Sequence, residues 1–129
     1  MFVFAVLSKD KLGDAARHIL TNLSRIKAKT CCLAIDELAW AILRRSDIRT
    51  AVDNCRAVLA LRGLDIIPVE QSDMWEMTRG MEMLELRPRD ALHLAVMKRL
   101  GEKSIISEDL HFDKAKVKRI PINVFARSI

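Results

Sequence analysis

Apolar positions recur along this chain with two different periods, and the alternation between them predicts the architecture. From Asp14 to Ile26, Ala15, Ile19, Leu20 and Leu23 fall at helical spacing, and the apolar run Cys31 to Ile35 that follows has the length of a buried strand. Ile35 or Asp36 then opens a helix that carries Leu38, Ala41 and Ile42 inward. Its last turn holds Arg44 and Arg45, where positive charge suits the exposed carbonyls. A further helix is expected from about Ile48 to Leu61, stopped by Gly63.

Leu64 to Val69 reads as a strand, placed at a sheet edge because Pro68 has no N–H to donate to a neighbour. A methionine-rich helix over Ser72 to Leu84 comes next. The helix after it carries a full set of start and stop signals, with Pro88 at its first position and Lys98, Arg99 and Gly101 at its end. Lys103 to Ser107 is a buried-type strand, and Ile120 to Phe125 is expected to be a last one, Pro121 again marking an edge. Strands alternating with helices of this length imply parallel pairing and a three-layer α/β domain. With no repeat, low-complexity tract or Gly/Pro/Ser-rich linker, the 129 residues are expected to fold as a single domain, 1–129.

Composition changes this picture only slightly. Lys and Arg outnumber Asp and Glu by 22 to 17, a net charge of +5 that favours polyanions such as nucleic acid or acidic lipid without choosing between them. Cys31, Cys32 and Cys55 form no Cys-x-x-Cys pair, and their odd number without a secretory leader favours a reducing cytoplasm. Met1 to Leu7 is apolar but far too short to span a bilayer, so a soluble protein is expected.

The architecture gives three acids a common place. In a parallel sheet, the C-terminal ends of strands and the N-terminal ends of the helices that follow lie along one edge, where ligands bind. Glu37 and Asp90 fall in predicted first helical turns, and Asp109 comes directly after a predicted strand. Each acid alone is what dipole compensation at a helix start would select. Three acids converging from distant segments would repel one another unless a cation or a basic group sits among them.

Three segments carry a likeness: Ile35-Asp36-Glu37-Leu38-Ala39-Trp40, then Arg89-Asp90-Ala91-Leu92-His93-Leu94-Ala95, and Ile106-Ser107-Glu108-Asp109 followed by Phe112. Together they resemble the acidic motifs of the PIN-domain ribonucleases, most closely the small single-domain type found as toxins of VapBC toxin–antitoxin pairs. The second segment is the most specific of the three, and the likeness extends over nearly the whole chain. It implies an α/β/α domain with a central parallel sheet that cleaves RNA with Mg²⁺ or Mn²⁺, using Glu37, Asp90 and Asp109. It also implies a homodimer and a small antitoxin that inserts a side chain into the acidic cleft. Hard divalent cations suit such oxygen donors, Mg²⁺ keeping several waters while one or two carboxylates bind it. The resemblance implies a metal set of Asp90, Asp109 and Glu37, with Asp90 and Asp109 the expected direct or water-mediated ligands and Glu37 expected to orient the attacking water.

The likeness departs at its start. The family pattern opens with a strand ending in aspartate, followed by Thr or Ser and Asn, ahead of an apolar segment like Phe2 to Leu7. That first strand and its acid are missing here, and a true start upstream is the expected reason. The alternative is a catalytically degenerate relative that binds RNA or protein without cutting.

Lesser candidates surround the motifs. His111 stands where the family often has a second aspartate, leaving Glu108 and Asp113 as auxiliary acids. Ser107 is expected either to hydrogen-bond a ligand carboxylate or to act as a turn residue. Arg89, Lys114 and Lys116 are candidate RNA contacts, Lys118 and Arg119 extending the same basic tract. His18, His93 and His111 lack zinc-site spacing, and His93, one turn from Asp90, reads as a packed or hydrogen-bonded residue. Trp40 and Trp75 are expected in the core. Met74, Met77, Met81 and Met83 serve either as core filling or as an adaptable contact surface.

Overall fold

The segment Phe2–Leu7, apolar at every position, folds as a short helix, α1, in a computed structural model that describes residues 1–129. A helix apolar all round must be covered all round, and α1 lies between two core clusters. Phe2 packs with Leu38, Ile42, Ala51 and Val58, whereas Ala5 packs with Ala16, Ile19 and Ile122. Arg17 holds the C-terminal end of the helix, donating from Nη1 to the carbonyls of Ala5 (2.8 Å) and Ser8 (2.9 Å).

Helix α2 spans Lys11–Thr21 and begins earlier than the periodicity suggests, because the Asp10 carboxylate caps it by accepting from the N–H groups of Leu12 and Gly13. A single turn, α3 (Leu23–Ile26), leads through left-handed Lys27 into strand β1. β1 covers Ala28–Cys31, and Leu33–Leu43 form α4, so the strand expected over Cys31 to Ile35 is displaced. Leu38 and Ile42 reach the core at helical spacing, and the register that buries them continues back through Ile35 and Ala34, which pack on the same cluster. The ladder ends where the Cys32 N–H donates to the Ile67 carbonyl.

Asp47 caps α5 (Ile48–Leu59), accepting from the Thr50 N–H at 2.7 Å. β2 (Leu64–Ile67) stops before Pro68, and a reciprocal Glu70–Asp73 capping box starts α6 (Gln71–Leu84). α7 spans Pro88–Leu100 and closes on left-handed Gly101. After β3 (Ser104–Ile106) come a 3₁₀ turn (Leu110–Lys114), β4 (Lys118–Ile120) and α8 (Ile122–Ala126). The last strand is therefore shorter and earlier than Ile120 to Phe125: Pro121 ends it and starts a helix that drives Ile122 into the core beside Ile19.

All pairing is parallel, as the alternation implies, but the strands form two sheets of two, β1 with β2 and β3 with β4. The expected central sheet is thus split. Between β1 and β3 lies a cavity of about 520 Å³, and Met1 and Phe2 at the start of α1 are part of its wall. The apolar segment Phe2–Leu7, whose first residue lines this cavity, is helical and adds no strand to either sheet. No helix is long and apolar enough to cross a membrane.

Candidate metal centre

Asp90 is the third residue of α7, whose start is set by Pro88 with its fixed φ and missing N–H. Asp109 follows β3 and caps the 3₁₀ turn, where its Oδ1 accepts from the His111 N–H at 2.9 Å. Its own N–H donates to Ser107 Oγ at 3.0 Å, which fixes the bend after the strand. Ser107 thus shapes the turn, its Oγ accepting from the backbone of Asp109.

This local folding brings His111 to the acids. Its Nδ1 lies 3.0 Å from Asp109 Oδ1 and 3.4 Å from Asp90 Oδ2. Donor atoms of Asp90, Asp109 and His111 all lie within 4.8 Å of one another. Glu37 lines the same cavity, as do Asp90, Asp109 and Ser107. Because α4 starts at Leu33, Glu37 sits in the second turn instead of the first, where Asp36 takes that place. His93 of α7 holds it, with Nε2 at 3.2 Å from both carboxylate oxygens.

The electrostatics differ from a simple helix-start reading. Burial pushes the Asp90 carboxyl above the usual aspartate range, and the nearby charges of Asp109 and Glu37 push it further, while His111 and His93 oppose the shift. The α7 dipole does not overcome desolvation and like charge. Crowded acids facing a cavity, with an imidazole nitrogen beside them, match the donor chemistry of a divalent cation, whose positive charge would relieve the repulsion that raises Asp90.

The remaining candidates lie elsewhere. Glu108 Oε1 accepts from the Ile122 N–H at 2.7 Å and Asp113 pairs with Arg119 at 2.9 Å, and neither residue lines the cavity. The same pairing, with a bond from Arg119 to the Ser107 carbonyl, removes Arg119 from the basic tract. Lys114 and Lys116 are exposed, outside the cavity wall. Arg89, next to Asp90, is exposed and 3.9 Å from Asp36. Trp40 and Trp75 are not core residues: they are 53% and 72% exposed, and Met74, Met81 and Met83 also face solvent.

From the sequence His111 is not expected among the donors, whereas His93 is expected to be packed or hydrogen-bonded, which its bond to Glu37 bears out. The available signal was the position of His111 two residues after Asp109, and that of His93 one helical turn after Asp90.

Against known proteins, the family model described as PIN domain matches residues 2–118. No curated protein and no solved structure matches the chain.

Proposed function

The chain belongs to the PIN domain family, and on that premise we infer that it is a metal-dependent endoribonuclease that hydrolyses RNA phosphodiester bonds. The observation that carries this reading is the meeting of Glu37, Asp90 and Asp109, separated by long stretches of sequence, on the wall of one cavity. Asp90 and Asp109 are the residues to hold Mg²⁺ or Mn²⁺. When bound, such an ion lowers the pKa of a coordinated water and neutralises charge on a leaving oxygen. Glu37, fixed by His93, is placed to accept a proton from a water and to orient it. Arg89, exposed beside Asp90, is suited to an RNA phosphate, and Lys114 and Lys116 extend a basic surface from the 3₁₀ turn.

The reading includes the small-toxin role, with residues 1–129 acting as a single domain inhibited by an antitoxin protein and assembled as a homodimer in the cytoplasm. Apolar side chains left in solvent support protein partners: Leu43 and Ile48 lining a groove between α4 and α5, Trp40 elsewhere on α4, and Trp75 and Met83 on α6. The three cysteines are free, in keeping with a reducing compartment.

The test is cleavage of a mixed RNA pool by the purified chain with Mn²⁺, Mg²⁺ or chelator. Metal-dependent products that vanish in Asp90→Asn support the reading, and equal cleavage by that variant overturns it. A non-cutting, RNA-binding relative is the second reading. It is favoured by the single imidazole that stands where the family often has a further acid, and it would show RNA binding indifferent to chelator and no products with any metal.

A further inference from the structure

We propose that His111 is itself a metal ligand, and that the mixed set Asp90, Asp109 and His111 makes this centre selective for a divalent transition metal of the manganese-to-cobalt kind over Mg²⁺. The inference rests on the reading that Asp90 and Asp109 hold a cation. It adds the identity of the third donor and the consequence for which ion is held.

The argument starts from which atom of the ring faces the acids. His111 presents Nδ1, at 3.0 Å from one carboxylate oxygen of Asp109 and 3.4 Å from one of Asp90. The same Asp109 oxygen that caps the 3₁₀ turn by accepting the His111 N–H also faces the ring, so backbone and side chain of His111 are both held to this carboxylate. Three donor atoms from three side chains, all within 4.8 Å of one another, can bind one ion with small rotations. The His111 side chain is 49% exposed, so the ring is reachable from solvent and its movement displaces no core residue.

Donor chemistry then decides the ion. Mg²⁺ takes oxygen ligands almost exclusively and holds its waters tightly. Imidazole nitrogen favours first-row transition metals, with affinity rising from Mn²⁺ through Fe²⁺ to Co²⁺ and Ni²⁺. Two carboxylates with one imidazole therefore keep Mn²⁺ binding and improve it for Co²⁺, while the imidazole adds little for Mg²⁺. His93 is not part of the set: its Nε2 faces both oxygens of Glu37, and the donors that come within reach of one another are those of Asp90, Asp109 and His111.

The experiment is calorimetric titration of the full chain with MnCl₂, CoCl₂ and MgCl₂, together with proton NMR of the Co²⁺-loaded protein. His111→Asn, His111→Asp and the remote, exposed His18→Gln are measured alongside. Expected are Co²⁺ and Mn²⁺ binding weakened about 10-fold or more in His111→Asn, with Mg²⁺ changed by less than about 2-fold. In His111→Asp the preference shifts toward Mg²⁺, and His18→Gln behaves like the parent. The Co²⁺ protein should show an exchangeable, strongly shifted imidazole N–H resonance that is absent from both His111 variants. Metal binding with the same affinities and the same shifted resonance in His111→Asn overturns the inference alone. Failure of the parent chain to bind any of the three ions overturns the nuclease reading beneath it.

Discussion

His93 on α7 and Glu37 on α4 meet with Nε2 equidistant, at 3.2 Å, from both carboxylate oxygens, across 56 positions of sequence. A ring nitrogen centred on a carboxylate fixes the rotation of that group, and Glu37 is thereby presented to the cavity that Asp90 also faces. Orientation of this kind acts on a reacting water more than on the affinity for an ion.

The expected result of His93→Leu is therefore a fall in kcat of about tenfold or more with Mn²⁺ affinity within about twofold of the parent. His93→Gln, which retains a donor, should recover part of the loss. Single-turnover cleavage alongside Mn²⁺ titration separates the two effects. A parallel loss of metal affinity in both variants would place His93 in contact with the ion instead.

Asp90 gives a prediction in which stability and activity move in opposite directions. Its carboxyl is raised by burial and by Asp109, so the native state binds the Asp90 proton more tightly than the unfolded chain does. Stability from this group is then greatest at acid pH, falls as pH rises from the ordinary aspartate range through the raised native value, and stays reduced above both. Asp90→Asn removes that penalty. In chelator at neutral pH its Tm should exceed the parent's, the gap closing as the pH drops below the ordinary aspartate range, while Mn²⁺-stimulated cleavage is lost. A lower Tm at neutral pH in scanning calorimetry would contradict the reading of Asp90 as a strained acid.

How far these features could be read from sequence depends on how local their causes are. α7 was legible to within a residue because Pro88 and Gly101 act on their own backbone, and Asp90 came with it. Asp109 was legible because a short apolar run and a turn mark the end of β3. β1 was displaced because the apolar run Cys31 to Ile35 serves both a strand end and a helix start, and Leu38 and Ile42 on the core decide where one gives way to the other. Phe2–Leu7 carried no period at all, so its helical state follows from packing on both sides. The split between the two sheets is a matter of which strands find partners, a non-local outcome that no short window contains. Trp75 sits at an apolar position of α6 that nothing covers, so periodicity alone placed it in the core.

The one charged side chain shut away from solvent lies outside the candidate site. Asp73 is 1% exposed, accepts from Arg99 Nε at 2.9 Å and from Arg99 Nη2 at 3.0 Å, and also accepts the Glu70 N–H at 2.8 Å. Arg99 completes the cluster by donating to the Pro68 carbonyl. The bonds from Arg99 lead in holding the Asp73 carboxyl below the usual aspartate range. Asp73→Ala leaves the guanidinium without its fork partner and should cost about 3 kcal/mol in denaturant unfolding. A depressed carboxyl stabilises fully above the ordinary aspartate pKa, and its contribution is lost as pH falls through the lower native value. The parent chain should accordingly lose stability more steeply than Asp73→Ala on acidification below that range. Matching acid-unfolding curves would show that the pair contributes nothing to folding.

Two glycines with positive φ separate close approach from backbone strain. Gly63 has φ 81° and Gly101 has φ 70°, so an L side chain is strained at either position. They differ in what a Cβ would meet. At Gly101 there is open space, but at Gly63 a Cβ would stand 2.4 Å from the Leu23 carbonyl oxygen and 2.7 Å from the Ser24 Cα, both backbone atoms that cannot rotate away. The Gly63 carbonyl also accepts from the Ala28 N–H at 2.9 Å, which holds the entry of β1 against β2. Gly101→Ala is expected to cost about 1 kcal/mol, the strain of the left-handed region alone. Gly63→Ala adds a backbone shift at the sheet and should cost roughly 3 kcal/mol. Urea unfolding with a shared m-value measures both, and equal midpoints for the two variants would mean that α3 yields to the added methyl without loss of the β1–β2 ladder.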